Sequence, residues 1–204
     1  MYRKVKVVVV MVLFVFCNAC TAPMTKVDVG EINTVGIVNN FPNYPHFSIV
    51  RTTAYNNDYD VIRDHRYNEK LLDVVLGYLQ KKGFDTVVLK DKDEAGKESV
   101  DLLLELTPRD MDSMPGTYGY GVNQRSFTDE KSNPIVYVAL NIGPYLNGVS
   151  QGDSFYHEGI QQVNIENLPK KWEMLTEEQK HLVEGSLNHQ IEKTVSELLV
   201  KVGL

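Results

Sequence analysis

The chain has 204 residues, 43% of them hydrophobic, and a formal net charge of −6. A length in this range predicts one domain with an ordinary apolar core. Because an acidic chain is repelled by nucleic acid and by anionic lipid surfaces, both are disfavoured as partners. Cys17 and Cys20 are the only cysteines, and both lie near the amino terminus. The sequence therefore predicts a domain without a disulfide framework and without a thiolate metal site.

The first twenty residues have the order of charges and apolar residues that is typical of an export signal. Three basic residues precede an apolar run that ends at Phe16, and Ala19 stands directly before Cys20. This order resembles the signal of bacterial lipoproteins, although Cys17 stands where the family pattern has an aliphatic residue. The resemblance implies cleavage before Cys20, a diacylglycerol group on its thiol and an acylated amino group.

Two alternatives to a lipoprotein signal stay open at this point. One is an uncut transmembrane anchor, but an apolar run of about a dozen residues is shorter than the roughly 20 that span a bilayer. The other is a secretory signal cut after Ala19 or Ala22. The lipoprotein interpretation divides the chain into a signal peptide at 1–19, a lipidated tether at 20–31 and one domain at 32–204.

The processed protein is more acidic than the whole chain. Removal of three basic residues leaves 18 basic against 27 acidic residues, a net charge of −9 with neutral histidines. Thr21, rather than Asp, follows Cys20, and the usual sorting rule of enterobacterial lipoproteins then implies transfer to the outer membrane. The predicted location is the periplasmic face of that membrane, with the lipid on Cys20 as the anchor.

The first half of the domain is predicted to contain two strands and a helix. β-branched and aromatic residues at 32–41 and at 47–53 predict two short strands. Apolar residues recur at spacings of three and four over 67–82, which predicts an amphipathic helix that Asn68 caps and Gly83 ends.

Two more strands are predicted after this helix. Residues 84–89 read as one strand, residues 90–98 as a turn, and the alternation over 100–107 predicts a strand with one strongly buried face. Residues 108–133 show neither period but are rich in Met, Gly and Tyr, so we expect a long loop of the kind that is functional or disordered.

The last part of the chain is predicted to contain a strand and a long helix. Residues 135–142 predict a buried strand that Gly143 and Pro144 end, and 148–164 predict a loop or hairpin with a strand as one option at its end. The sequence that begins at Thr176 is a capping box, and an apolar stripe predicts an amphipathic helix over 176–201.

This order of elements predicts an α+β domain in which both helices pack on one face of a mixed sheet. The strand Val35–Val38, the helix end at Lys81–Phe84, the strand Val100–Leu106 and the final helix follow a lipoprotein signal. In this order they resemble the α+β domains of the penicillin-binding-protein activator lipoproteins, the curli-secretion lipoprotein and the amino-terminal domain of the Tol translocation protein. The resemblance implies a fold rather than a function.

Side chains for catalysis are sparse in this sequence. Asp153, Ser154, His157 and Glu158 bring a hydroxyl, an imidazole and carboxylates into one segment, and an envelope hydrolase that uses residues 153–158 is the alternative function. True triads are assembled across a fold, however, and no nucleophile-elbow motif surrounds Ser154. We expect no catalytic residues and no enzymatic activity.

Metal and cofactor sites are not predicted either. The five histidines lack the spacing of metal ligands, and the acidic pairs at 58–64 and 110–112 lack the Gly and Glu positions of a calcium loop. The glycine-rich segment at 116–121 lacks the lysine and hydroxyl of a phosphate-binding loop.

Aromatic residues of the predicted loop are the candidates for partner binding. Tyr118, Tyr120, Arg125 and Phe127 form this candidate set, since tyrosine offers apolar area and a polar tip at low entropy cost. The alternative is that the loop folds onto its own core. The sequence thus predicts a non-enzymatic binding or scaffold protein of the envelope, whose partner is another envelope protein or the cell wall.

Overall fold

A computed structural model describes residues 26–28, 30–52, 56–63, 66–96, 98–126, 132–152 and 154–204, with the backbone alone at residues 115, 116 and 126. The helices are α1 (Arg66–Lys81) and α2 (Glu177–Val202), with short 3-10 turns at Lys92–Glu94 and Trp172–Met174. The strands are β1 (Thr34–Asn39), β2 (His46–Arg51), β3 (Asp58–Val61), β4 (Asp85–Leu89), β5 (Leu102–Pro108), β6 (Asp110–Met111), β7 (Met114–Tyr118), β8 (Tyr120–Ser126), β9 (Ile135–Leu146), β10 (Val149–Ser150) and β11 (Phe155–Gln162). Within this described part, nine strands form one mixed sheet, and β6 and β7 form a separate hairpin.

Both helices pack on the same face of the sheet, as the sequence predicts. Leu71 of α1 and Leu187 of α2 belong to one apolar core with Leu104 of β5 and Val138 of β9. All four side chains are fully buried. The fold is therefore the predicted α+β arrangement.

The strand β9 lies at the centre of the sheet and determines its shape. One edge of β9 pairs antiparallel with β8 over residues 135–138 and with β5 over residues 140–146, while its other edge pairs with β11. As a result, β5 and β8 lie end to end along the same edge of β9. β1 pairs in parallel with β5, and β2 pairs in parallel with β8. β1 and β2 are therefore also arranged end to end.

The β6–β7 hairpin leaves the sheet at the point where β5 ends and β8 begins. Its base is closed by the Gly119 N–H, which donates to the Arg109 carbonyl at 3.0 Å. Both residues also bond the backbone of Ala139 on β9. Gly119 has φ +70° and a β-carbon there would lie 3.2 Å from Pro108, so a side chain would be strained. Residues 110–118 are therefore an insertion in an otherwise continuous line of strand.

The predicted start of α2 is confirmed, whereas the predicted cap of α1 by Asn68 is wrong. Thr176 and Gln179 form the predicted capping box, with both reciprocal bonds present. Asn68 lies inside α1 instead of capping it. Its amide donates to the Phe41 carbonyl at 2.8 Å and its oxygen accepts from Asn39, so it ties the helix to the β1–β2 connection.

The end of α1 agrees with the prediction. The helix stops at Lys81, and Gly83 follows with φ +93°. The Phe84 N–H donates back to the Leu79 carbonyl, which satisfies a carbonyl at the end of the helix. The chain then enters β4 directly.

The prediction of a long loop at 108–133 is wrong for most of its length. The described residues of this segment form β6, β7 and β8, and β8 lies between β2 and β9 inside the sheet. Residues 127–131 lie outside the described part of the chain. The pattern failed here because β8 buries polar side chains, Asn123 and Gln124, beside apolar ones.

Three further elements of the sheet differ from the prediction. β9 continues through Gly143 and Pro144. Its pairing with β11 ends at Ile142 and its pairing with β10 begins at Tyr145, so the proline lies between the two paired stretches of that edge. Residues 148–164, predicted as a loop or hairpin with a strand as one option at its end, contain β10 and β11, and β11 begins at Phe155. β3 was not predicted from the sequence, since it has only four residues and none of them is buried.

The predicted tether at 20–31 already contacts the domain before Ile32. Val27 is buried, and its N–H donates to the Val202 carbonyl at 2.9 Å. Packing of the domain therefore includes Val27. Throughout the described ranges, no helix combines the length and apolarity that crossing a bilayer requires.

Candidate interaction surface

Two of the predicted contact residues, Tyr118 and Tyr120, lie in opposite environments. Tyr118 is 46% exposed at the end of the hairpin, whereas Tyr120 is fully buried. The Tyr120 hydroxyl donates to the Pro42 carbonyl at 2.8 Å, and its ring packs at 5.3 Å from that of Phe41. The prediction that Tyr120 is displayed to a partner is therefore wrong, because this ring is part of the core beneath the segment that connects β1 to β2.

The other predicted site residues are only partly described. Arg125 lies on β8 and is partly buried. Phe127 and the lipidation residue Cys20 lie outside the described residues. Their proposed roles stay predictions from the sequence.

The turn of the hairpin is pinned to β11 by one carboxylate, that of Glu158. Its Oε1 accepts the Asp112 N–H at 2.6 Å and its Oε2 accepts the Ser113 hydroxyl at 2.8 Å. The Tyr156 hydroxyl also donates to Glu158. Burial opposes ionisation of this carboxyl, but hydrogen bonds from Tyr156, Ser113 and the backbone hold the pKa of Glu158 below its ordinary value.

Two further contacts hold the hairpin against the sheet. The Arg109 guanidinium lies 4.1 Å from the centre of the Tyr156 ring and 2.7 Å from the Asp112 carboxylate. On the underside, Met111 is buried against Tyr137 and Ala139. Burial and the bond to Glu158 raise the pKa of Tyr156, so its hydroxyl stays protonated as the donor. The hairpin is thus a fixed feature of the surface.

The ring of Tyr118 stands edge-on to the imidazole of His46, with ring centres 6.4 Å apart. His46 begins β2, next to Gly121 of β8. A β-carbon on Gly121 would lie 2.1 Å from the His46 carbonyl, so only glycine allows this approach. Burial lowers the pKa of His46, and the negative charge of Asp110 acts in the opposite direction.

These contacts define what we call the hairpin surface. Its exposed residues lie on the face of the sheet that the helices do not cover; they are Arg109, Asp110, Asp112, Ser113 and Tyr118. His46 lies at the border of this surface. The surface combines one aromatic ring with charges of both signs. The sequence indicated this surface only weakly, through the glycine-rich run around Tyr118.

The residues of the alternative hydrolase site do not converge. His157 and Glu158 point to opposite sides of β11, because successive side chains of a strand alternate. His157 bonds Glu197 and, at 2.9 Å, Lys201, both on α2, whereas Glu158 bonds the hairpin. Among the described residues no hydrogen bond joins Ser154 to His157, and Asp153 lies outside them.

Two further features of the described residues bear on ligand binding: a cleft between the helices and the arrangement of side chains that could hold a metal ion. A cleft of about 340 Å³ between α1 and α2 is lined by both acidic and basic side chains, including Lys70, Asp73 and Glu184. Lys70 is paired with Glu192 across the helices at 2.8 Å. In the described ranges there is no cluster of His, Cys, Asp and Glu side chains that would hold a metal ion.

No protein-family model and no curated protein matches this chain. Among solved structures, it is similar to the PelC dodecamer of Paraburkholderia phytofirmans, with 12% identity and a TM-score of 0.36 over 87% of this chain and 92% of that chain. It is similar to lipoprotein GNA1162 of Neisseria meningitidis, with 10% identity and a TM-score of 0.38 over 77% and 96%. It is also similar to a minor lipoprotein of Acinetobacter baumannii, with 8% identity and a TM-score of 0.41 over 84% and 92%. Two of these three proteins are named as lipoproteins.

Proposed function

We propose that this protein is a lipid-anchored component of the bacterial envelope that binds another envelope protein or the cell wall without catalysing a reaction. Cys20 carries the lipid, and the domain lies on the periplasmic side of the outer membrane. The order of charges, apolar run and small residue before Cys20 supports the anchor, and Thr21 supports the outer membrane.

The observation that carries the binding role is the pinned hairpin. β5 and β8 lie in line along β9, so a direct connection would continue the pairing at Ala139. The chain instead makes an excursion of residues 110–118, whose turn is held by Glu158. Connecting segments that a rigid scaffold positions commonly carry binding residues, and a rigid surface loses less entropy when a partner binds. Tyr118 supplies the exposed aromatic ring that binding hot spots favour.

A quantitative capture experiment tests the binding role. Detergent-solubilised membranes are cross-linked to the tagged protein, and the captured proteins and cell-wall fragments are quantified for the wild type, Tyr118→Ala and Tyr59→Ala. Tyr59, on β3, is 68% exposed and serves as a matched control away from the hairpin. We expect Tyr118→Ala to weaken capture of a specific component about 30-fold, which corresponds to a hot spot of about 2 kcal/mol. Equal capture by all three proteins would exclude the hairpin as the binding surface.

A fractionation experiment tests the anchor separately. Cys20→Ser removes the thiol that would accept the lipid, and we expect the variant to leave the membrane fraction and appear in the periplasm. Retention of the variant in membranes at the wild-type level would mean that an uncut helix or a bound partner holds the protein there.

A further inference from the structure

Several chain segments meet at one end of the domain, which we call the anchor end. The Val27 N–H donates to the Val202 carbonyl in the last turn of α2. The Tyr78 hydroxyl of α1 donates to the Leu204 carbonyl at 3.3 Å. Both helices therefore finish at the end where the chain arrives from the lipidation residue.

The β9–β10 turn lies at the anchor end as well. Asp101 accepts the N–H groups of Asn33 and Thr34 at 2.9 Å each, and its own carbonyl accepts the Asn147 N–H at 3.0 Å. These bonds place the turn beside the segment that leads from Val27 into β1. Val149 follows this turn and is 65% exposed.

The opposite end, which we call the distal end, contains the start of α2. The 26 residues of α2 correspond to a length of about 39 Å. The Trp172–Met174 turn precedes the helix, and the Trp172 N–H bonds Asp60 of β3. Met174 in this turn is 65% exposed. The two ends are thus separated by the full length of α2.

The link between Cys20 and the domain is short compared with this length. Lys26, the first described residue, lies six positions after Cys20, and six residues span at most about 20 Å. The distal end therefore cannot be the first part of the domain to meet the bilayer. A domain that lay on its side would bring more of its net negative charge against anionic lipid, which is unfavourable.

We propose that the anchor end faces the phospholipid surface and that the distal end points away from it. This orientation rests on the lipidation of Cys20 proposed above. In this orientation the hairpin surface, which lies where β5 ends and β8 begins, is on the side of the domain. A protein partner then approaches the hairpin laterally, and the anchor end is reserved for the lipid surface.

Single-cysteine labelling tests this orientation. With Cys20 lipidated and Cys17 removed with the signal, Val149→Cys and Met174→Cys each introduce the only free thiol, at positions of equal exposure. Each lipidated variant is labelled with a thiol-reactive fluorophore and reconstituted into phosphatidylethanolamine and phosphatidylglycerol vesicles that carry a headgroup quencher. We expect several-fold stronger quenching at position 149 than at position 174. The same labels on a form of the protein that begins at Thr21, which has neither native cysteine and no anchor, should not be quenched at either position.

The outcomes separate the orientation from the anchor. If the lipidated protein floats with vesicles but both positions are quenched equally, or position 174 more strongly, the orientation is wrong and the anchor stands. If the wild-type protein from membranes does not float with vesicles, both the anchor and the orientation are wrong. Unchanged melting temperatures of the two variants establish that the labels report on the native fold.

Discussion

The backbone N–H of Asp112 in the hairpin turn points at the carboxylate of Glu158 on β11, with a nitrogen-to-oxygen distance of 2.6 Å. Because the same carboxylate also accepts the Ser113 hydroxyl, one side chain joins the inserted hairpin to the sheet. The position of Tyr118 relative to the rest of the domain depends on this link and on the apolar contacts of Met111.

We expect Glu158→Ala to release the hairpin turn while the domain stays folded. Loss of the charged acceptor removes hydrogen bonds worth about 1–2 kcal/mol in this partly exposed setting. Hydrogen exchange measured by NMR should show faster exchange of the Asp112 amide, and capture of the partner should fall. Glu173→Ala, at an exposed glutamate, is the control and should change neither. Slow exchange at Asp112 in Glu158→Ala would show that the contacts of Arg109 and Met111 suffice to hold the hairpin.

Replacement of the two tyrosines should have opposite effects. Tyr120→Ala empties a fully buried site and removes the bond to Pro42, so we expect a loss of about 3–5 kcal/mol in the free energy of unfolding. Tyr118→Ala should cost less than about 1 kcal/mol, because its ring is half exposed. Denaturant unfolding of both variants measures the difference. A similar loss for both would mean that Tyr118 is a structural residue of the hairpin.

Gly159 of β11 allows α2 to approach the sheet. A β-carbon at this position would lie 2.2 Å from the Thr194 hydroxyl and 2.7 Å from the Gln190 side-chain oxygen. We expect Gly159→Ala to destabilise the domain by about 1–3 kcal/mol through overpacking, and Thr194→Ala in the same protein to restore part of that loss.

Gly185→Ala is the matched control for this prediction. Gly185 lies on α2 with open space around its β-carbon position, so alanine there should stabilise the helix by about 0.5–1 kcal/mol. Thermal unfolding of the wild type, Gly159→Ala, Thr194→Ala, the double variant and Gly185→Ala provides the measurement. Strictly additive effects of Gly159→Ala and Thr194→Ala would contradict the proposed contact.

His46 should make the stability depend on pH. Burial holds its pKa below the ordinary value of 6.5, so the unfolded chain binds more protons than the native protein between the two values. The contribution of His46 to stability is therefore complete above pH 6.5 and is lost as the pH falls through the lower, folded pKa. Glu158 acts in the same direction in a more acidic range, below its ordinary value of 4.5.

The measurement for His46 is the free energy of unfolding between pH 7 and pH 5. His46→Gln should flatten the decrease seen for the wild type. An equal slope for the wild type and His46→Gln would show that another group titrates in this range.

The elements that the sequence predicted well are those whose burial follows a regular period. In α1 and α2 the apolar residues recur with the helical period, and in β5 Leu102, Leu104 and Leu106 alternate toward the core. The capping box at Thr176 is also a local signal, because its donors and acceptors lie within four residues. Tertiary contacts reinforce these patterns without changing them.

The strand β8 shows why the rest was not predictable from the sequence. Asn123 is buried because its amide donates to the Ser48 hydroxyl at 2.8 Å, across to β2. Gln124 is buried because its oxygen accepts the Leu168 N–H at 2.9 Å. Segments that are distant in the chain bond the Asn123 amide nitrogen and the Gln124 oxygen, so β8 can bury these polar side chains without an alternating apolar pattern of its own.

The sequence by itself determined the acidic charge, the lipoprotein-like signal, both long helices and the α+β class, because each of these depends on composition or on a short-range repeat. Only the tertiary structure decided that Tyr118 is exposed and Tyr120 is buried. The two residues flank Gly119, which lies at the base of the hairpin. Tyr118 therefore belongs to the inserted hairpin, and Tyr120 belongs to β8 in the sheet. The pairing of β9 with both β5 and β8 decides where the insertion leaves the sheet, and such pairing joins residues that are far apart in the chain.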